Sequence, residues 1–139
     1  MERKVVNSPE ELEGLRVVQD GKEIYDALQK GESVMHWESG TSMFPFLMHM
    51  EYCKISPIKK EEVKAGMPVF CHFYYRNADG QVADLYMVHR CTEVVERDGE
   101  FYFRIDGTDS THFGWTCDVY GVAESTNIFQ DESSMWENF

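Results

Sequence analysis

Three short segments of the chain carry residue types that could do chemistry. The first is Gly40-Thr41-Ser42-Met43-Phe44-Pro45-Phe46-Leu47, in which a serine follows a glycine and precedes an apolar run with a proline. Glycine permits unusual dihedral angles, and proline fixes the chain and restricts the residue before it. Ser42 would then lie on a rigid backbone edge that aims its hydroxyl. The alternative is that Ser42 is an ordinary turn or capping residue.

The second segment is Val88-His89-Arg90, inside a predicted strand Val82–Thr92. Alternation puts His89 on one face with Leu85 and Met87. An imidazole beside apolar side chains is partly desolvated, which favours its neutral form. A general base must be neutral before it takes a proton, so His89 is a candidate base. The alternative is a core histidine whose ring nitrogens are already hydrogen-bonded.

The third segment is Asp106-Gly107-Thr108-Asp109-Ser110, at the end of an aromatic strand. Aspartate and glycine favour a turn at such a place. A carboxylate on that turn could also orient an imidazole from another strand. Asp109 and Asp106 are both candidates for that role.

The elements that must position these residues are mostly strands. Ser8-Pro9-Glu10-Glu11 predicts a short first helix, and a second helix fits Lys22–Lys30. From Ser33 onward, alternating apolar residues between Asp-Gly turns predict strands and hairpins. The predicted strands are Val34–Trp37, Tyr52–Ser56, Val69–Arg76, Val82–Thr92, Val94–Glu96, Glu100–Asp106 and Val119–Ala123. This pattern predicts a mainly-β fold, a coiled antiparallel sheet or partly closed barrel with one or two short N-terminal helices.

The length of 139 residues fits one domain. Within it we expect a helical segment over residues 1–32 packed on the body, a β domain over 33–129 and a polar tail over 130–139. With 42% apolar residues, the composition is too apolar for a disordered chain. The net charge of −12, from 13 basic and 25 acidic residues, argues against general nucleic-acid binding and against docking on anionic lipid.

No segment approaches the roughly 20 apolar residues of a membrane-spanning helix, and the N-terminal residues lack the apolar region of a secretory signal. We therefore expect a cytoplasmic protein. The cysteines show no C-x-x-C spacing, so no metal, redox pair or cofactor is expected. Two disulfides are allowed by the count, but free buried thiols fit a chain without an export signal better. The cysteines are Cys53, Cys71, Cys91 and Cys117.

Taken in order, these segments resemble the type I signal peptidase family, and more broadly the superfamily that includes LexA-like self-cleaving repressors. The resemblance runs from about Ile24 to Ala123. Gly-Thr-Ser-Met-Phe-Pro-Phe-Leu is similar to the family's G-x-S-M-x-P-x-L box around the nucleophilic serine. Val88-His89-Arg90 resembles the second box in its histidine type. Asp106–Ser110 resembles the K-G-D-N/S box, and Gly121-Val122 the closing G-x-V.

The resemblance implies a serine endopeptidase with Ser42 as nucleophile and His89 as general base. It implies that the backbone N–H of Ser42 helps to hold the oxyanion, in a loop with Gly40 and Met43. Some bacterial members supply a side-chain hydroxyl where this chain has Gly40. Asp109 is the expected third residue, with Asp106 as the alternative. The apolar part of the box would form a substrate groove or rim: Phe44, Pro45, Phe46 and Leu47.

The chain also departs from the family pattern. Met50-Glu51 replaces a glycine and an aspartate, Met67 and Thr108 stand where acidic residues are expected, and no N-terminal membrane helix is present. One alternative function is therefore an inactive peptide-binding or regulatory module on the same fold. A second is LexA-like self-processing, for which Ala65-Gly66 is the only Ala-Gly bond. The expected partner is a peptide or protein substrate. A membrane-anchored partner, peripheral membrane association and the oligomeric state stay open.

Overall fold

The computed structural model describes residues 9–40 and 43–130. In this part of the chain a single antiparallel sheet of seven strands carries one α-helix, α1 (Gly21–Gln29), and two 3-10 turns, Pro9–Leu12 and Lys60–Glu62. The strand order is β1-β2-β7-β3-β4-β5-β6. The strands are β1 (Val34–Trp37), β2 (Glu51–Pro57), β3 (Pro68–Arg76), β4 (Val82–Arg97), β5 (Glu100–Asp106), β6 (His112–Thr116) and β7 (Val119–Phe129).

The mainly-β prediction is confirmed, but the sheet is not closed into a barrel. Its two edges are β1 and β6. β6 contacts β3 through a side chain, because the Thr116 hydroxyl donates to the His72 carbonyl at 2.7 Å. β3 itself lies inside the sheet, between β7 and β4.

Two strands differ from their predicted form. β4 is continuous over 16 residues where the sequence predicted two strands, because a bulge between Cys91 and Glu93 absorbs the irregularity without ending the pairing with β5. β6 was not predicted at all. It is only five residues long and contains Gly114 at φ 131°, so it lacks a clear alternation of apolar and polar residues.

Two apolar clusters cover the two faces of the sheet. On β3, alternation sends Phe70 to one cluster and Cys71 to the other. The first cluster lies under α1, whose Ile24 and Leu28 are buried. At Gly121 a Cβ atom would stand 2.9 Å from the Leu28 side chain, so the absence of one lets α1 approach the sheet.

The helix α1 begins where the sequence analysis placed it, within one residue. The Asp20 side chain accepts the Glu23 N–H at 3.1 Å and caps the first turn. The predicted cap Ser8 lies outside the described residues, as does the tail beyond Gln130. Within residues 9–40 and 43–130, no helix is long and apolar enough to cross a membrane.

All four cysteines are free thiols, and three are buried. Burial raises the pKa of Cys91 to about 11 and raises the pKa values of Cys53 and Cys71 further. These thiols are therefore protonated at neutral pH and pack as small apolar side chains.

Candidate active site

Ser42, the predicted nucleophile, lies outside the described residues together with Thr41. The residues on either side define the ends of its loop. Gly40 has φ 117°, a left-handed value that favours glycine. Its N–H donates to His49 Nδ1 at 2.9 Å. This hydrogen bond joins Gly40, in the serine box, to His49, which follows it.

The apolar half of the serine box divides between core and surface. Met43 and Phe46 are each 4% exposed, whereas Phe44 is 54% exposed. The Leu47 N–H donates to the Met43 carbonyl at 3.0 Å, which closes a turn. Leu47 itself packs against the cluster under α1. Of the four residues predicted to form a groove or rim, Phe44 and Pro45 are the exposed ones.

Met50 holds an unusual backbone conformation at the end of this loop. Its φ of 63° is left-handed, yet its side chain is 1% exposed. Its N–H donates to the Glu38 carbonyl at 3.1 Å, and its own carbonyl accepts the Gln130 N–H at 2.8 Å. Met50 therefore combines a backbone conformation that glycine adopts most easily with a buried side chain.

His89 lies on β4, opposite Val69 of β3. Its ring stacks on Phe113 of β6 with the ring centroids 4.2 Å apart. Burial lowers the pKa of His89 below its usual 6.5, and the negative charges of Glu38 and Asp109 oppose this more weakly. The Nδ1 atom is buried and has no hydrogen-bond partner in the described part of the chain. The ring is therefore neutral near pH 7 and has one unused nitrogen.

The two aspartates considered for the third position have different surroundings. Asp106 accepts hydrogen bonds from His112 Nδ1 at 2.7 Å, Arg104 Nε at 3.1 Å and the Thr92 hydroxyl. Burial acts to raise the pKa of Asp106, but the hydrogen bonds from Thr92 and His112 and the Arg104 charge outweigh it and lower the pKa. Asp106 is therefore engaged with His112.

Asp109 is exposed on the turn that follows β5. Its pKa is lowered mainly by hydrogen bonds from Thr111, whose N–H lies 3.2 Å from the carboxylate, and slightly by the charge of His89. Asp109 is thus the aspartate of this segment whose charge acts on His89. No hydrogen bond between Asp109 and His89 is present among the described residues.

Sequence reasoning missed two neighbours of His89. Phe113 was missed because β6 was not predicted. Glu38 was missed because its carboxylate acts on His89 only through the fold. The Glu38 carboxylate also lies 3.0 Å from Nε2 of the buried His36, whose Nδ1 contacts the Val18 carbonyl at 2.9 Å.

A second histidine–aspartate cluster lies on the other face of β3. The ring nitrogens of His72 contact Asp118 at 3.1 Å and Asp84 at 2.7 Å. Both nitrogens of His72 are thus engaged, as are both of His36, so neither ring has a nitrogen to spare for a substrate. His89 differs from these two buried histidines in its unpartnered Nδ1 within the described residues.

The Ala65-Gly66 bond of the self-processing alternative lies in the described part of the chain. The Gly66 N–H donates to the Cys91 carbonyl at 2.7 Å, so the Ala65-Gly66 bond is held in the turn before β3. Within residues 9–40 and 43–130, no cluster of three or more His, Cys, Asp or Glu side chains could hold a metal ion.

Comparison of the chain with protein-family models, with curated proteins and with solved structures gave no match. The function of the site has therefore to be inferred from its own residues.

Proposed function

We propose that this protein is a serine endopeptidase of the signal-peptidase-like group, with Ser42 as nucleophile and His89 as general base. The observation that carries the proposal is the state of the His89 ring. Burial keeps the ring neutral, and its Nδ1 is unused within the described residues. A neutral imidazole with an available nitrogen can accept the proton of a hydroxyl.

In the proposed reaction His89 removes the Ser42 hydroxyl proton while the serine oxygen bonds to the carbonyl carbon of the substrate. The resulting oxyanion accepts a hydrogen bond from the Ser42 N–H. His89 then gives its proton to the leaving amine, and the peptide C–N bond breaks. Water repeats the two steps on the acyl-enzyme and restores Ser42. The charges of Glu38 and Asp109 stabilise the imidazolium that forms in each half.

Backbone features at three positions support the finer fold assignment, the coiled sheet of the signal peptidase and LexA type. Gly40 is left-handed in the serine box, and Met50 is left-handed where the family has glycine. Gly121, in the segment similar to the G-x-V box, is packed too closely by α1 and β2 to accept a Cβ. Each of these three positions has a backbone conformation or packing that favours glycine, and each belongs to a segment on which the resemblance depends.

The two sheet edges suggest where an extended substrate would lie. The outer edge of β1 is covered by the segment before α1. The Val18 N–H donates to the Met35 carbonyl at 2.8 Å, and the Met35 N–H donates to the Arg16 carbonyl at 2.9 Å. On β5 the Arg104 carbonyl accepts the Thr92 hydroxyl of β4 at 3.5 Å, so the backbone C=O and N–H of Arg104 point toward β4. Trp115 of β6 lies opposite Arg104 in a pair without mutual hydrogen bonds. The N–H and C=O of Trp115 therefore point outward, away from β5. A peptide pairing there would lie beside Phe113, which contacts His89.

One observation favours the second candidate, an inactive peptide-binding module. Val88 belongs to the cluster under α1, which Leu47 of the serine-box loop also contacts. By alternation, the next residue, His89, lies on the opposite face with Met87. In addition, no carboxylate hydrogen-bonds to His89 among the described residues. A binding module would keep the edge of β6 without needing transfer of a proton.

The deciding experiment exposes wild type, Ser42→Ala and His89→Ala to a proteome-derived peptide library and counts new N-termini by mass spectrometry. The proposal expects cleavage by wild type and at least a hundredfold loss in both variants, with the circular dichroism of all three unchanged. Lys22→Ala is the control, because this exposed lysine lies on α1 and pairs with Asp26, and the variant should cleave like wild type. Equal cleavage by wild type and Ser42→Ala refutes the mechanism. A library that is bound but uncut favours the module.

A further inference from the structure

A buried carboxylate joins the serine-box loop to the sheet. Glu51 begins β2 and is 2% exposed. Its Oε1 accepts the Met48 N–H at 3.0 Å. Its Oε2 accepts the Asn127 N–H at 2.9 Å and the Ser125 hydroxyl. One side chain thus connects the loop, on one side, with two residues of β7 on the other.

The backbone of β7 is shaped for this contact. The pairing of β2 with β7 shifts register between Glu51, opposite Phe129, and Cys53, opposite Ser125. Asn127 lies in this bulge with φ 58°, a left-handed value that asparagine tolerates better than most residues. Its N–H therefore leaves the ladder and points at the Glu51 carboxylate.

A carboxylate in this buried space carries a desolvation penalty that an apolar side chain does not. Removing it from water costs several kcal/mol, roughly, unless hydrogen bonds compensate the loss. An apolar side chain of similar volume would fill the core without that penalty. What the carboxylate adds is direction, because its two oxygens fix the backbone of Met48 and of Asn127 at defined distances. The carboxylate therefore restricts the backbone of Met48 more than an apolar side chain of the same volume would.

We propose that Glu51 is a positioning residue of the site, which holds the turn from Met43 to Met48 in one conformation through the Met48 backbone. The inference rests on the proposed function and deepens it, since a fixed turn beside the nucleophile is what a serine peptidase requires. The charges that act on the pKa of His89 are those of Glu38 and Asp109, and Glu51 acts instead on the backbone of this turn. Its removal should therefore change the rate of the reaction without changing the acid–base behaviour of His89.

The test variant is Glu51→Met, which keeps the length of the side chain and has no carboxylate oxygen. The Met48 N–H and the Asn127 N–H then both lose their acceptor. Amide hydrogen exchange of residues 43–50, measured by mass spectrometry, should accelerate at least tenfold. On the library peptide that wild type cleaves fastest, kcat should fall at least tenfold, with KM within twofold and the acid limb of the pH profile unmoved. Glu93→Met, at an exposed glutamate on β4, is the matched control and should behave as wild type.

Two results would overturn the proposal. One is Glu51→Met with unchanged exchange over residues 43–50, and the other is faster exchange with unchanged kcat. If Glu51→Met does not fold, Ser125→Ala replaces it, because that variant removes one donor to the carboxylate and leaves both backbone contacts. It should shift exchange and kcat in the same direction by a smaller factor. If wild type cleaves nothing, the proposed function fails, and the exchange measurement alone decides whether Glu51 fixes the loop.

Discussion

Replacing Met50 with alanine and with glycine separates the backbone of the serine-box loop from its packing. Met50 is 1% exposed, so truncation to alanine should cost about 2–5 kcal/mol of stability. Its φ of 63° is left-handed, a conformation that costs a residue with a Cβ roughly 1–2 kcal/mol and glycine almost nothing. Glycine loses more chain entropy on folding, by about 0.5–1 kcal/mol. The change from alanine to glycine should therefore be more favourable at residue 50 than at a residue in an extended strand, by about 1–2 kcal/mol.

The assay is urea unfolding followed by circular dichroism, with thermal unfolding as a check. For a chain of this size a difference of 1 kcal/mol corresponds to a shift in Tm of about 2–4 °C. Met87 on β4 provides the matched control, since its backbone is ordinary extended strand. There alanine should be more stable than glycine by about 0.5–1 kcal/mol. If the difference in stability between the alanine and glycine variants is the same at residues 50 and 87, the left-handed conformation of Met50 is refuted.

Three further outcomes are expected. Because burial lowers the pKa of His89, hydrolysis should fall only as the pH drops through a value below 6.5; a limb above 6.5 contradicts the buried ring. As the pH falls, His89 binds a proton at a higher pH in the unfolded chain than in the folded one. The stability of wild type relative to His89→Asn should therefore fall below pH 6.5. Gly121→Ala should destabilise by about 1–3 kcal/mol in thermal unfolding, because the new Cβ would stand 2.9 Å from Leu28; an unchanged Tm shows that the helix yields freely. Trp115→Pro should lose library cleavage while Trp115→Ala keeps it, since only proline removes the outward N–H of β6; equal cleavage excludes pairing at that edge.

The sequence was informative where the signals are local. Alternation over Glu100–Asp106 and Val34–Trp37 predicted two strands to the residue, and Gly31 marked the end of α1. These signals depend on side chains a few positions apart, which an isolated segment already contains. The same local reasoning missed β6, where a glycine at φ 131° interrupts the alternation and the pairing with β5 alone makes the strand.

The candidate site shows the same division. The chemical types were readable along the chain: a serine in a glycine–proline box, a histidine on an apolar strand and an aspartate turn. Which aspartate acts on His89 was not readable, because Asp106 and Asp109 are three residues apart and differ only in what the fold brings near them. The fold gives Asp106 to His112 and leaves Asp109 within electrostatic reach of His89.

By itself the sequence determined the mainly-β class and the residue types that could do chemistry, because these follow from composition and spacing. The tertiary structure decided the rest. It left the sheet open, with β1 and β6 as its edges, and it formed β6 through pairing with β5. It buried the His89 ring on Phe113 and placed Glu51 between the loop and β7, since both contacts join residues far apart in the chain. Long-range packing sets burial, and burial sets which groups can react.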